Sequence, residues 1–335
     1  MNSSPRLLPD GIYTPLPTFF KPDEDLDLAA FAQHITFTAS AGTFPVVAGS
    51  AGEAPHLTPT ERIELIKTAR KTLDTTVVDG WTIPVVAGVG APSTRETITL
   101  AKDAASAGAD FVMVIPPGYY AGALKGGHAL LEYFVDVAES SPVPVVLYNF
   151  PAVAGGIDLD SDLIVEVVKR TSNVVGVKLT CASVGKITRI NAVVTSPGFK
   201  TQYPRHRPEQ DFRIIDGFID ILMPSVASGA AGAISGLPNI VPRSCVQLWK
   251  LASCGCGPGS VEYKEAQRLQ NTIALADGVL QSIGIAGLKM LVSHTFGFGA
   301  NPRRPLQPMS KEAAKLVLDH KYLHAVLREE ASLQH

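Results

Sequence analysis

Val174-Val175-Gly176-Val177-Lys178-Leu179-Thr180 has the length of a strand, is rich in β-branched residues and follows the turn-forming Thr171-Ser172-Asn173. Near-continuous apolar runs of this kind belong to strands buried on both faces, as in parallel sheets covered by helices. One lysine interrupts the run. An ammonium held there would lose its hydration, and a neutral lysine amine attacks a carbonyl to give a Schiff base. The stretch reads equally well as an ordinary strand whose lysine reaches out into water. The surrounding chain has to choose between the two.

Upstream, short apolar runs alternate with segments of helical periodicity. Gly11 to Phe20 reads as a proline-containing first strand, followed by a helix over Asp25 to Ser40. Phe44 to Ala48 is the next apolar run. Thr58-Pro59-Thr60-Glu61 then opens a helix with a hydroxyl cap, a proline in the first turn and an acid at the third position. Strands at Ile83 to Ala87, Phe111 to Ile115 and Val143 to Leu147 alternate with helices at Ser93 to Ala107, from about Gly127 to Ser140, and at Asp160 to Arg170. Downstream come a helix at Ser183 to Val194, a weak strand at Phe212 to Ile215 and an eighth apolar run at Gly232 to Gly236. Eight such runs predict an α/β fold, a (β/α)8 TIM barrel, rather than an open doubly wound sheet. Beyond Pro242 the pattern is helical, over Pro242 to Ala252, Ser260 to Ser282, Ile285 to Phe296 and Ser310 to Arg328. The expected organisation is a barrel carrying the site over residues 1–245 and a C-terminal helical extension over 246–335.

Composition fits that scheme. Of the 335 residues, 46% are hydrophobic and 18% charged, enough for a large core and unlike a disordered chain. The formal net charge of −2 gives no reason to expect nucleic acid or an anionic membrane as partner. Cys181, Cys245, Cys254 and Cys256 lack the paired spacing of a structural zinc site and are expected as reduced thiols. No uninterrupted apolar run reaches the roughly 20 residues of a membrane span. Met1 to Pro9 is too short and polar for a secretory leader, so a cytoplasmic protein is expected. A mitochondrial address stays open, with Arg6 as the only basic residue of that leader.

In a barrel of this kind the active site is built at the C-terminal strand ends. There the sequence puts Gly49-Ser50-Ala51-Gly52-Glu53, Tyr119-Tyr120, Tyr148-Asn149 and Lys178. Tyr148 and Lys178 fall on neighbouring strands, and a phenol beside an imine can carry protons. Ser50 could hydrogen-bond that phenol or a substrate carboxylate, and the flanking glycines let backbone amides approach a ligand. Singly, each has an ordinary reading: a packed tyrosine, a tight turn, and a Glu53 that caps a local turn. The eight histidines are scattered over helices and loops, no convergent metal set is visible, and neither a phosphate loop nor a nucleophile elbow occurs. No cofactor is expected.

Taken together and in order, Gly49-Ser50-Ala51-Gly52-Glu53, Pro117-Gly118-Tyr119-Tyr120, Tyr148-Asn149-Phe150-Pro151, Gly176-Val177-Lys178 and Gly232-Ala233-Ile234-Ser235 resemble the pyruvate-dependent class I aldolases. That family includes dihydrodipicolinate synthase and N-acetylneuraminate lyase. The resemblance runs from about Gly11 to the final helix. It implies Lys178 as the Schiff-base lysine, Tyr148 as proton shuttle, and Tyr119 as a tyrosine that reaches across a subunit interface. It implies Ser50 and Ala51 in the carboxylate-binding loop, Gly217 and Ile234 as pocket-lining positions, and a homotetramer built as a dimer of dimers.

Two departures qualify it. Ala51 stands where the family carries a second hydroxyl, which interrupts a relay from Tyr148 to Tyr119. Val153 stands where synthases carry an arginine for the aldehyde's carboxylate, and valine offers no such contact. Pro151 to Leu159 and Gly284 to Lys289 are closer to eukaryotic 4-hydroxy-2-oxoglutarate aldolases. The expected activity is therefore a Schiff-base aldolase that cleaves a 4-hydroxy-2-oxo acid, either 4-hydroxy-2-oxoglutarate-like or a 2-keto-3-deoxy sugar acid, to pyruvate and an aldehyde. The alternatives are dihydrodipicolinate synthase and a non-catalytic 2-oxo-acid binding protein.

Overall fold

The computed structural model describes residues 5–124, 126 and 128–333. Its strands are β1 (Gly11–Pro15), β2 (Phe44–Val47), β3 (Val86–Gly88), β4 (Phe111–Val114), β5 (Val145–Asn149), β6 (Val174–Leu179), β7 (Arg213–Asp216) and β8 (Gly232–Ile234). All pair in parallel and in chain order, and β8 closes on β1 through Gly11 opposite Gly232. The fold is the eight-stranded (β/α)8 barrel that the alternation of runs predicts. The helices between and around the strands are α1 (Leu28–Ser40), α2 (Pro59–Thr76), α3 (Thr94–Ala107), α4 (His128–Ser140), α5 (Ser161–Arg170), α6 (Val184–Val194), α7 (Phe199–Gln202), α8 (Leu222–Ala227) and α9 (Pro242–Ala252). The C-terminal helices are α10 (Val261–Phe296), α11 (Lys311–Leu318) and α12 (Lys321–Ser332).

Helix starts follow local chemistry. Thr58 and Glu61 form a reciprocal capping box at α2, and Ser93, Asp160, Ser183, Ser260 and Ser310 each accept a backbone N–H as caps. The expected start at Gly127 lies outside the described residues; α4 is described from His128. The two helices expected on either side of Gly284 meet within α10, where Gly284 leaves the helical region with φ 59° and ψ −154°. Three expectations are corrected. The single helix expected over Ser310 to Arg328 is two, because His320 leaves the helix and its Nδ1 accepts the Tyr322 N–H to start α12. Helix α8, too short to show periodicity, was not expected. Cys254 and Cys256, expected as separate thiols, are paired in a disulfide in the loop before α10.

Two apolar layers make the core. Tyr13, Val46, Val86, Met113, Val146 and Ile215 belong to a cluster within the barrel, while Val47, Ala87, Val112, Leu147 and Ile214 pack outward under the helices. By length and mean hydropathy α10 is apolar enough to cross a membrane, yet it packs on α9 and α12 with 44% of its apolar window buried.

One polar pair ties α1 to the segment after β8. His34 is fully buried, with Nε2 2.9 Å from Asn239 Oδ1. The Asn239 amide donates to Pro15 O and Gly236 O, so its oxygen must accept and His34 Nε2 must carry the proton. Burial pushes the imidazole down to about 4 against the smaller opposing pull of Asn239. The unfolded chain therefore takes up a proton near pH 6.5 that the folded chain refuses until about pH 4. Stability from this group is complete above pH 6.5 and is lost as pH falls toward 4, by on the order of 3 kcal/mol. Urea midpoints of the wild type should fall more steeply between pH 7 and pH 4.5 than those of His34→Gln. Parallel slopes in the two proteins would refute the assignment.

Candidate active site

The inward aim of Lys178 comes from a fault in pairing. Along β5, Val145 and Leu147 pack outward while Val146 and Tyr148 face the barrel interior. Along β6, Val174 is outward, and strict alternation would then put residues 176 and 178 outward too. The register instead jumps: Val145 pairs with Val174, but Val146 pairs with Gly176. Val175 is the extra residue of a β-bulge and faces inward. Past it, Val177 and Leu179 pack outward, so Lys178 between them faces in, directly opposite Tyr148. Gly176 permits this, since a Cβ there would stand 2.7 Å from the Arg213 carbonyl oxygen.

Lys178 is 5% exposed. Its Nζ lies 4.2 Å from the centroid of the Tyr148 ring, and among the described residues no carboxylate comes within ion-pair reach of it. Ser50 Oγ and Tyr148 Oη are 3.3 Å apart. A cavity of about 280 Å³ brings Lys178 together with Tyr148, Ser50, Ala51, Gly217 and Ile234. A second, of about 240 Å³, shares Ser50, Tyr148, Val153 and Ile285 with it and extends to Gly49, Glu53 and Met113. Gly217 has to be glycine: a Cβ would lie 2.1 Å from Thr180 Oγ1. Beside it Asp216 accepts hydrogen bonds from Ser225 Oγ and the Phe218 N–H. Burial raises the Asp216 carboxyl to about 6 despite those bonds. Tyr119 stands apart. It is 85% exposed, its ring set edge-on to Tyr120, on the rim of a different cavity with Val153.

The Ser50 loop is fixed by a residue whose role the sequence did not reveal. Glu53 adopts a left-handed backbone (φ 55°) and is buried rather than capping a turn at the surface. Its Oε1 accepts from Lys289 Nζ at 2.8 Å, and both side chains are fully enclosed. Its Oε2 accepts from the Arg303 N–H at 2.8 Å and lies 3.2 Å from His56 Nδ1. Burial pushes the Lys289 amine below its ordinary range, while Glu53 pulls the other way. Arg303 in turn pairs with Glu61 at 2.6 Å. Separations of about 240 residues hid this network from local pattern reading. Its only sequence signal was a charged residue, Lys289, in the apolar stretch Gly287 to Val292.

Fold and site together place an enclosed lysine, Lys178, at the C-terminal end of β6 in a closed (β/α)8 barrel. The chain matches the dihydrodipicolinate synthetase family over residues 8–321, and it belongs to that family. It is 40% identical over 313 residues to "Probable 4-hydroxy-2-oxoglutarate aldolase, mitochondrial" of Emericella nidulans, covering 93% of this chain and 94% of that one. It is 37% identical over 321 residues to the L-threo-3-deoxy-hexylosonate aldolase of Aspergillus niger, covering 92% and 93%. A dihydrodipicolinate synthase family protein from Coccidioides immitis superposes with TM-score 0.83 at 36% identity, over 99% of this chain and 100% of that one. A prophage protein of the same family from E. coli K12, solved in complex with pyruvate, superposes with TM-score 0.78 at 27% identity, over 97% and 98%. The protein is a carbon–carbon lyase of the aldolase kind.

Removing one partner of an enclosed ion pair strands the other. Lys289→Met should destabilise the protein by about 3–5 kcal/mol, and adding Glu53→Gln should restore part of the loss. Urea unfolding of the single and double variants measures this. Equal stability of Lys289→Met and wild type would show that the pair does not hold the loop.

Proposed function

We propose that this chain cleaves a 4-hydroxy-2-oxo acid to pyruvate and an aldehyde through a Schiff base on Lys178. The observation that carries the reading is a buried, inward-facing lysine with no counter-ion among the described residues, paired across the sheet with Tyr148. The amine adds to the C2 ketone, and loss of water leaves an iminium. That cation draws in the electrons of the C3–C4 bond as it breaks. Tyr148 takes the proton of the C4 hydroxyl, the aldehyde leaves, and an enamine remains on the lysine. The enamine is protonated at C3, and water hydrolyses the imine to release pyruvate and the free lysine. No cofactor enters this cycle.

Ser50 orients the Tyr148 hydroxyl and, with the amides of its loop, holds the substrate carboxylate. Gly217 and Ile234 wall the pocket. Ala51 supplies no hydroxyl, so any proton path from Tyr148 onward to Tyr119 runs through water. The exposed Tyr119–Tyr120 pair supports a role at the face of a neighbouring subunit in a homotetramer. Against the synthase reaction stands Val153, at the rim of both cavities, which gives a second carboxylate no charged partner. Each missing charge-assisted hydrogen bond costs about 1.5–3 kcal/mol of binding. Two relatives bear mitochondrial names, which supports an organelle address over the cytoplasmic one.

Borohydride reduction in the presence of pyruvate should add one reduced pyruvate to the intact protein by mass, on Lys178. Lys178→Ala should acquire none, and an adduct in that variant overturns the reading. Tyr148→Phe should still be trapped by pyruvate but lose about 10²–10⁴ in cleavage rate, the usual contribution of a positioned acid–base group.

A further inference from the structure

Beyond Lys178 the same cavity ends against α10, and the wall there is not uniformly apolar. Asp277, Leu280, Gln281, Gly284, Ile285 and Leu288 form it. Asp277 is 3% exposed, and its only hydrogen bond among the described residues is from Gln281 Nε2 to its Oδ2, at 2.8 Å. The Gln281 amide also reaches Asp220 Oδ2 at 3.3 Å, which leaves the Gln281 carbonyl oxygen without a donor. Thr180 and Ser235, which line the same cavity, carry buried hydroxyls with no partner among the described residues. Buried polar groups of a folded protein are almost always satisfied, and a carboxylate with a single donor is an exception that needs a reason. Lys178 is the only cation among the described lining residues, and the proposed chemistry commits it to C2.

We infer that Asp277 and Gln281 form the subsite for the aldehyde half of the substrate, and that it takes a neutral, polyhydroxylated tail in preference to a second carboxylate. This rests on the aldolase reading above and narrows its substrate. Both side chains present acceptor oxygens, and a sugar-acid tail offers a row of O–H donors to meet them. Those hydroxyls satisfy the carboxylate that the protein leaves under-bonded. A dicarboxylic substrate brings an anion toward Asp277 and Asp220, where no lysine or arginine among the described lining residues other than Lys178 receives it. Burial holds the Asp277 carboxyl up at about 6, the neighbouring Asp220 adding to the effect.

The test is a comparison of kcat/KM for cleavage of a six-carbon 3-deoxy-2-oxo sugar acid and of 4-hydroxy-2-oxoglutarate, read as released pyruvate. The wild type should favour the sugar acid by about tenfold or more. Asp277→Asn and Gln281→Leu should each cut that ratio about tenfold, mainly by raising KM for the sugar acid. Because Gln281 lies at the exposed edge of the cavity, its variant keeps the test informative if the buried Asp277 variant folds poorly. A wild type that prefers the dicarboxylate, or variants that slow both substrates equally, overturns the inference. Borohydride trapping of wild type with pyruvate separates the two failures. Absence of an adduct sinks the aldolase reading, whereas an adduct without sugar-acid preference sinks only the subsite.

Discussion

Closing eight short parallel strands leaves one inner face, and every side chain aimed at it competes for the same volume. Most of that volume here is filled by Tyr13, Val46, Val86, Phe111, Met113 and their neighbours. A lysine is admitted only at the top of β6, and only because the pairing with β5 slips by one residue at Val175. Without the slip, Lys178 would lie with Val177's present neighbours under the helices, and Tyr148 would face a different residue. The bulge therefore couples two things that look separate: the register of a strand pair and the identity of the proposed reacting group. It also explains why Gly176 cannot carry a side chain, since the slipped strand brings it against the Arg213 carbonyl.

The site is built as much by the end of the chain as by the barrel. Helix α10 supplies Asp277, Leu280, Gln281, Ile285 and Leu288 to the cavity around Lys178. Next to Leu288, it supplies Lys289 to the Glu53 carboxylate behind the Ser50 loop. Gly284, where the helix breaks, falls within the cavity wall, with Asp277, Leu280 and Gln281 before it and Ile285 and Leu288 after it. The segment after the break therefore serves both the cavity wall and the buried ion pair. The Arg303 backbone and guanidinium then lock the loop from the other side, through Glu53, His56 O and Glu61.

Much of this was legible in the sequence, and the limits have physical causes. Caps such as Thr58 with Glu61, and strand runs such as Phe111 to Val114, are local, and local chemistry determined them. The strand-end rule gathered Lys178, Tyr148 and the Ser50-Ala51 loop, the family resemblance added Gly217 and Ile234, and the structure brings these six around one cavity. What alternation could not show was which way Lys178 pointed, because the bulge that sets its phase depends on the partner strand. Glu53 read as a turn residue because its partners Lys289 and Arg303 are remote in sequence. The break at His320 was missed because a histidine cap resembles a helical surface residue until its ring accepts a backbone N–H. Tyr119 is the one named residue that a single chain leaves outside the cavity, as a residue serving a neighbouring subunit would be.

The lack of a counter-ion at Lys178 bears on the proposed chemistry in its own right. An iminium accelerates carbon–carbon cleavage because it is a cation in want of electrons, and a carboxylate fixed beside it would satisfy that want before the bond breaks. The face of the Tyr148 ring lies 4.2 Å from Nζ, and its quadrupole stabilises a cation far less than an anion would. In the proposed reaction the substrate brings its own carboxylate, and the Ser50 loop is assigned to hold it. The protein's one buried carboxylate–ammonium pair in this region, Glu53 with Lys289, lies behind that loop, where it orders the backbone. Full ion pairing is thus spent on positioning, and the nitrogen proposed to react is left with the weaker partner, which in the proposed cycle favours the transition state over the bound imine.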